Sequence, residues 1–170
     1  MKKKEIVAVS YIDACYFKNN ESVPNNFEFS RHTAVGKVFV LTDSDLTLVF
    51  KEKEGVPENG LVIPISALIL KEDKVLHQSS ELLNKEVLES NVEVFWQDLV
   101  YFQNGSIPDR STTMCSKGEL LQSNDMYIVL KDPLNYKEKD GKDHYPRDKN
   151  TDVAYLYIPK TLITDMNTYD

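Results

Sequence analysis

The chain contains few of the residues on which disulfide and metal sites depend. Its 170 residues include two cysteines, Cys15 and Cys115, which form no CxxC pair, so the sequence predicts neither a disulfide framework nor a zinc site. The three histidines, His32, His77 and His144, lie far apart and show no HxxxH or HxH spacing. We therefore expect no metal and no cofactor in this protein.

Catalytic signatures are also missing. The sequence has no GxGxxG, no P-loop and no GxSxG, and neither cysteine has a histidine nearby in the chain. The absence of these motifs favours a non-enzymatic protein, although partners that meet only in space leave an enzyme open.

The chain has no excess of basic charge. Its net charge is −7 and its pI is about 5.0. Affinity for nucleic acid depends mainly on lysine and arginine contacts to phosphates, so we expect no direct nucleic-acid partner. Residues 1–85 carry 11 basic and 12 acidic side chains, whereas residues 86–170 carry 9 and 15. This acidity of the second half favours a partner protein with a basic surface.

No long apolar segment opens the chain. Met1 and three lysines are followed by Glu5 and a short strand-like run, which is not the pattern of a signal peptide. The content of 41% hydrophobic and 28% charged residues is typical of a globular protein in water. The sequence therefore predicts a cytoplasmic protein without a membrane segment.

What the sequence does contain is a repeat. Residues 9–17 (VSYIDACYF) resemble residues 94–102 (VFWQDLVYF) in the order of apolar, acidic and aromatic side chains. Each copy then has a glycine inside an apolar run and ends on an Ile-Pro pair. These landmarks are Gly36 and Gly118, and Pro64 and Pro159. Three landmarks in one order predict an internal duplication.

Both copies show the pattern of short strands. Polar and apolar residues alternate with period two over residues 7–17 and 92–102, which predicts one long strand at the start of each copy. Further strands are expected near residues 33–41 and 115–122, and near residues 46–51 and 126–131. Proline fixes φ and cannot donate to a ladder, so each Ile-Pro predicts a 3₁₀ turn before a closing strand.

This pattern predicts a mainly β protein of two tandem small β-barrels. We assign residues 1–71 to the first repeat, 72–90 to a linker and 91–170 to the second repeat. Ser79 to Glu89 offer an N-cap candidate and helix formers, so the linker is predicted to be helical. The second repeat is about 15 residues longer between its third and fourth strands, which predicts an inserted loop at 132–151.

The order of strand, long loop, strands, 3₁₀ turn and closing strand is similar to that of SH3-like barrels. The first copy also resembles small uncharacterised proteins of bacteriophages and prophages. This second resemblance covers about residues 7–69 and is carried by YIDA at 11–14, TAVG at 33–36 and IP at 63–64. It implies a phage-encoded protein, whose location would be the host cytoplasm. The histidine expected after the Asp-Ala is Cys15 here and Val100 in the second copy.

Asp13 and Asp98 are the most distinctive polar candidates, because alternation places each carboxylate on the apolar face of its strand. One interpretation is a pair of acids that face a shared cleft and carry out acid–base work or hold a cation. The other is a structural acid that accepts backbone N–H bonds from the following loop. We favour the structural role, since polar residues at strand ends usually secure loops.

Aromatic residues supply the remaining candidates. Tyr16 and Tyr101 lie where strand gives way to loop and offer either a contact surface or packing between the two barrels. The inserted loop mixes tyrosines with both charges, a composition typical of a solvated loop or of a recognition loop. The candidate binding residues are Asp13, Tyr16, Asp98, Tyr101, Tyr136, Asp140, Asp143, Tyr145 and Asp148. Trp96 is expected in the core.

The leading hypothesis is therefore a non-enzymatic cytoplasmic protein-binding module that acts as inhibitor or adaptor of a basic host protein, such as a nuclease or an antiviral defence component. A second hypothesis is a small-ligand binder, for example of a nucleotide, or a hydrolase, with its site in a cleft between the repeats. A third is a structural or assembly protein. The sequence leaves a homo-oligomer open.

Overall fold

The computed structural model describes residues 5–19, 21–69, 90–139, 143–146 and 153–169, with backbone alone at 90, 136–139, 143–146 and 169. Most of these residues lie in β-strands, so the prediction of a mainly β protein is confirmed. The strands are β1 Ile6–Tyr11, β2 Cys15–Lys18, β3 His32–Leu41, β4 Asp45–Lys53, β5 Val56–Pro64, β6 Leu68–Ile69, β7 Ser90–Asp98, β8 Val100–Phe102, β9 Thr112–Ser123, β10 Tyr127–Lys139, β11 Asp143–Pro146, β12 Val153–Pro159 and β13 Ile163–Tyr169.

The strands form two antiparallel sheets. The first has the order β6-β1-β3-β4-β5-β8. The second has the order β13-β7-β9-β10-β12-β2, and β11 pairs with the far end of β10. If the strands of each half are numbered from the start of that half and β11 is left out, the two sheets have the same strand order. Each sheet ends on a short strand that comes from the other half of the chain.

This exchange of strands corrects the prediction of one long strand at the start of each copy. The chain leaves the first sheet after Tyr11 and joins the second at Cys15. At the break the Ile12 N–H donates to Ala67 O over 3.0 Å. The second copy leaves its strand at Leu99 in the same manner. Alternation of side chains continues through both breaks, so the pattern alone did not reveal them.

Corresponding strands also pair in the same register. Val7 lies opposite Gly36 in the first sheet, and Val92 lies opposite Gly118 in the second. The exchanged strands agree as well, since Leu61 lies opposite Tyr101 and Leu156 lies opposite Tyr16. The strands of the two halves therefore correspond in order and, at these positions, in register.

One apolar core lies between the sheets. Its members with no exposed surface come from both halves and include Leu48, Leu61, Trp96, Leu130 and Leu156. Trp96 is thus in the core, as predicted. Because each half contributes to the same cluster, the two sheets bury apolar surface against each other rather than in separate interiors.

The Ile-Pro pairs lead into the predicted 3₁₀ turns. These turns span Ile65–Ala67 and Lys160–Leu162, and each is followed by the closing strand of its half. Neither described helix is long and apolar enough to cross a membrane. Among the described residues neither sheet closes on itself, and the predicted helical linker at 72–90 lies outside them except for Ser90, where β7 begins.

Part of the predicted inserted loop at 132–151 is in strands. β10 continues through Asp132, which has a φ of 48°, and its far end pairs with β11, so that Lys137 lies opposite Tyr145. Pairing shifts between Lys131 and Leu134, which marks a bulge at that point. A polar, charged sequence therefore forms a strand pair here.

A candidate binding groove beside Tyr101

Tyr16 and Tyr101 occupy corresponding positions in the two exchanged strands but differ in exposure. Tyr16 is partly buried and packs against the common core. Tyr101 is 68% exposed on β8, the end strand of the first sheet. An exposed tyrosine offers a large apolar ring with a polar hydroxyl, and such residues are enriched at protein interfaces.

Tyr101 lines a surface groove of about 350 Å³, which we call the Tyr101 groove. Its walls combine aromatic rings, amide groups and one carboxylate. They are formed by Phe50, Glu58, Asn59, Gly60, Tyr101, Phe102, Gln103 and Asn104. No lysine, arginine or histidine is among these residues, so the groove is suited to a ligand that brings positive charge.

Gly60 lines the groove at a point where its neighbours approach its backbone closely. A Cβ at this position would lie 2.0 Å from Leu48 O and 2.5 Å from Phe102 Cζ. The second sheet has Tyr155 at the corresponding place, opposite Phe17. There the outer face is covered by an aromatic cluster that includes Phe27 of the loop after β2. The loop after β8 contributes only Ile107 to the matching cluster of the first sheet.

Glu58 supplies the charge of the groove. Its Oε2 is buried, lies 3.4 Å from Lys51 Nζ and accepts no hydrogen bond from the described residues. The Lys51 side chain is 67% exposed and that of Glu58 is 36% exposed. Because the lysine is mostly in solvent, the ion pair is worth less than about 1 kcal/mol, so Lys51 can be displaced from the carboxylate.

Phe50 separates the Tyr101 groove from a second groove of about 480 Å³. This second groove is apolar at Ile6 and Val35 and bounded by the Lys37–Glu52 ion pair. On the first sheet Val35 lies opposite Ala8, whereas the corresponding pair on the second sheet is the ion pair of Glu93 with Lys117. The first sheet therefore has the more apolar exposed face.

Tyr11 connects Tyr101 with Asp13. The hydroxyl groups of Tyr11 and Tyr101 are 3.4 Å apart, and the Tyr11 ring stacks on His32 with 5.4 Å between ring centroids. Burial, above all, raises the pKa of the Tyr11 phenol well above its ordinary value, and the Tyr101 hydroxyl and the Asp13 carboxylate add to the shift. Tyr11 thus stays protonated, and its hydroxyl makes a long, weak contact with that of Tyr101.

The two aspartates have equivalent local roles. Asp13 Oδ1 accepts a hydrogen bond from the Ala14 N–H at 2.8 Å, and Asp98 Oδ1 accepts one from the Leu99 N–H at 2.9 Å. Each carboxylate thereby turns the chain at the point where it leaves its sheet. Neither aspartate lines the two grooves. These contacts fit the structural role, and a shared acidic cleft stays a prediction.

Asp98→Ala is expected to lower the free energy of unfolding by about 1–3 kcal/mol, because Asp98 is buried and the Leu99 N–H would lose its acceptor. Asp98→Asn keeps an acceptor oxygen and should cost less. Urea unfolding followed by circular dichroism measures both. Equal stability of Asp98→Ala and the wild type would show that this turn needs no side-chain acceptor.

The remaining candidates lie away from Tyr101 in the chain. Tyr136 is in β10, and Asp143 and Tyr145 are in β11, where the backbone alone is described. Asp140 and Asp148 lie outside the described residues. Sequence reasoning missed Phe50, Glu58 and Tyr11 as neighbours of Tyr101. The aligned Ile-Pro pairs set Gly60 against Tyr155, and this contrast is the signal in the sequence that points to the groove.

Among the side chains that the structure describes, no three histidine, cysteine, aspartate or glutamate residues come together in a way that suits a metal ion. Comparison with known proteins adds no family to this description. The chain matches no protein-family model, no curated protein and no solved structure.

Proposed function

We propose that this protein is a non-enzymatic protein-binding module whose contact surface lies on the first sheet around Tyr101. The observation that carries the proposal is the contrast between the two corresponding tyrosines. Tyr16 packs against the core, whereas Tyr101 remains 68% exposed beside a groove. Exposed aromatic residues next to a concavity are the usual anchors of protein interfaces.

Neighbouring apolar side chains extend this surface. Phe50 is 43% exposed, and Ile6 and Val35 are 67% and 60% exposed. Together with Tyr101 they border two adjoining grooves, so a partner could bury a contiguous area there. The space between the sheets, in contrast, is filled by apolar side chains of both halves, which supports an interaction protein more than a ligand binder.

The proposed partner has a basic surface. The chain carries a net charge of −7, and the Tyr101 groove contains Glu58 and no basic side chain. Opposite charges on the two surfaces would speed association and favour the correct partner. With the phage resemblance of the first repeat, we propose an inhibitor or adaptor of a basic host protein such as a nuclease or a defence component.

We also propose that the fold arose by internal duplication of an SH3-like unit. The equal strand orders and registers of the two halves support this origin. After duplication, the short strands β2 and β8 would have been exchanged between the halves. Divergence then covered one outer face with aromatic residues and left the other open, which explains why a single binding surface is expected.

Photo-crosslinking in host lysate tests the proposed contact surface. A photoreactive phenylalanine analogue replaces Tyr101 in one variant and Met166 in a control variant, because Met166 is 42% exposed on the second sheet. We expect a specific adduct from position 101, identified by mass spectrometry as a basic protein, and a marked loss of it in 1 M salt, where screening is nearly complete. An adduct from position 166 alone, or none at all, contradicts the proposal.

A further inference from the structure

We propose that the Tyr101 groove binds an arginine side chain of the partner protein. This inference rests on the proposed function and specifies which chemical group the groove recognises. It is argued from three properties of the groove: its aromatic walls, its carboxylate, and its amide groups.

The aromatic walls suit a planar cation. Phe50, Tyr101 and Phe102 all line the groove, and Phe50 and Tyr101 are exposed enough to be reached from solvent. A guanidinium group stacks on such ring faces through cation–π attraction, which is stronger when the contact is shielded from water. The Tyr11 hydroxyl lies 3.4 Å from that of Tyr101, at the border of the groove.

Glu58 provides the opposite charge. Its present partner is Lys51, whose Nζ lies 3.4 Å from Glu58 Oε2 and whose side chain is 67% exposed. A guanidinium presents several N–H donors in a rigid fork and pairs with a carboxylate in a more defined geometry than an ammonium does. An incoming arginine would therefore replace Lys51 at Glu58, and Lys51 acts as a competitor within the chain.

Amide oxygens in the groove can accept hydrogen bonds from the remaining N–H groups of a guanidinium. Asn59, Gln103 and Asn104 line the same groove, and their side-chain oxygens accept hydrogen bonds. A guanidinium has five N–H donors, whereas an ammonium has three and cannot stack as a plane. The combination of stacking surface, carboxylate and several acceptors favours arginine over lysine.

NMR titration of the full-length protein tests this inference directly. The probes are three blocked tripeptides, Gly-Arg-Gly, Gly-Lys-Gly and Gly-citrulline-Gly, of which the last has the shape of arginine without its charge. We expect Gly-Arg-Gly to shift the amide signals of Gly60, Tyr101 and Gln103, Gly-Lys-Gly to bind several-fold more weakly, and Gly-citrulline-Gly to cause no shift.

Variants separate the contributions of the side chains. Glu58→Gln and Tyr101→Ala should each weaken the binding of Gly-Arg-Gly about fivefold, which corresponds to about 1 kcal/mol of binding free energy. Tyr101→Phe keeps the ring and should bind like the wild type, whereas Lys51→Ala removes the competitor and should bind more tightly. Asp125→Asn is the charge control, because Asp125 is exposed in a turn of the second sheet.

Two results would overturn the inference. One is equal binding of Gly-Arg-Gly and Gly-citrulline-Gly, and the other is weaker binding by Lys51→Ala. If either occurs while position 101 still crosslinks to a protein, the proposal of arginine binding is wrong, but the proposed contact surface around Tyr101 is retained. If position 101 also fails to crosslink, the proposed function fails as well.

Discussion

Replacement of Trp96 by alanine is expected to lower the free energy of unfolding by about 3–5 kcal/mol, the usual range for removal of a large buried aromatic side chain. Trp96 has no exposed surface and lies in the apolar cluster to which both halves contribute. Its indole Nε1–H donates to Ser116 Oγ at 2.9 Å, so the substitution also removes a buried hydrogen bond. The net stability of a folded protein is only about 5–15 kcal/mol, so a large part of it should be lost.

The shared core leads to a second expectation, which concerns how the two sheets of this variant unfold. Trp96 belongs to β7, but Leu48 and Leu61 of the first sheet are members of the same cluster. Both sheets should therefore unfold together in Trp96→Ala, which urea unfolding followed by circular dichroism and by methyl NMR signals of each half would show. Trp96→Phe should lose about 1–2 kcal/mol, and Met166→Ala less than about 0.5 kcal/mol. First-half signals that remain folded after the second half has melted would contradict a common core.

The second large effect is expected from Gly60→Ala. The added Cβ would lie 2.0 Å from Leu48 O, a backbone atom that cannot move without disturbing β4, and 2.5 Å from Phe102 Cζ. Overpacking of this kind costs about 1–3 kcal/mol, and a clash with backbone places the variant at the upper end. Because Gly60 lies between Val49 and Phe102, the strain should fall on the pairing of β5 with both β4 and β8.

Hydrogen exchange of the β8 amides, together with urea unfolding, would locate the damage of Gly60→Ala. Gly55→Ala is the matched control, since a Cβ there meets nothing within 4 Å but the φ of 77° disfavours alanine. It should cost about 1 kcal/mol and leave β8 unaffected. The double variant Gly60→Ala/Phe102→Ala separates the two clashes, because it removes the contact with the ring and retains the one with Leu48 O. If Gly60→Ala is as stable as the wild type, the close approach of β8 to β5 at this position is not needed for stability.

Much of the fold was predictable because its strands have one buried face. Period-two alternation located the strands around Gly36 and Gly118, since apolar residues must face the core at every second position. Each Ile-Pro pair predicted its 3₁₀ turn, because proline both restricts φ and lacks an N–H donor. These signals are local, and the structure agrees with them at Ile65–Ala67 and Lys160–Leu162.

The details that depend on neighbours in space were not predictable from alternation. The apolar segments 46–51 and 126–131 align in sequence without a gap, but the pairing shows a different correspondence. Leu46 lies opposite Ile63 and Ile128 lies opposite Ile158, so Leu46 corresponds to Ile128 rather than to Met126. Any shift by an even number of residues preserves the buried face, so only the partner strand decides the register.

The amino-acid sequence by itself determined the β class and the two Ile-Pro turns, because these follow from side-chain periodicity and from the geometry of proline. The tertiary structure alone decided that the strands holding Tyr16 and Tyr101 pair with the opposite halves. It also decided that one of these tyrosines is covered and the other exposed. Exposure depends on which side chains pack against a residue: the common core packs against Tyr16, whereas Tyr101 borders an open groove.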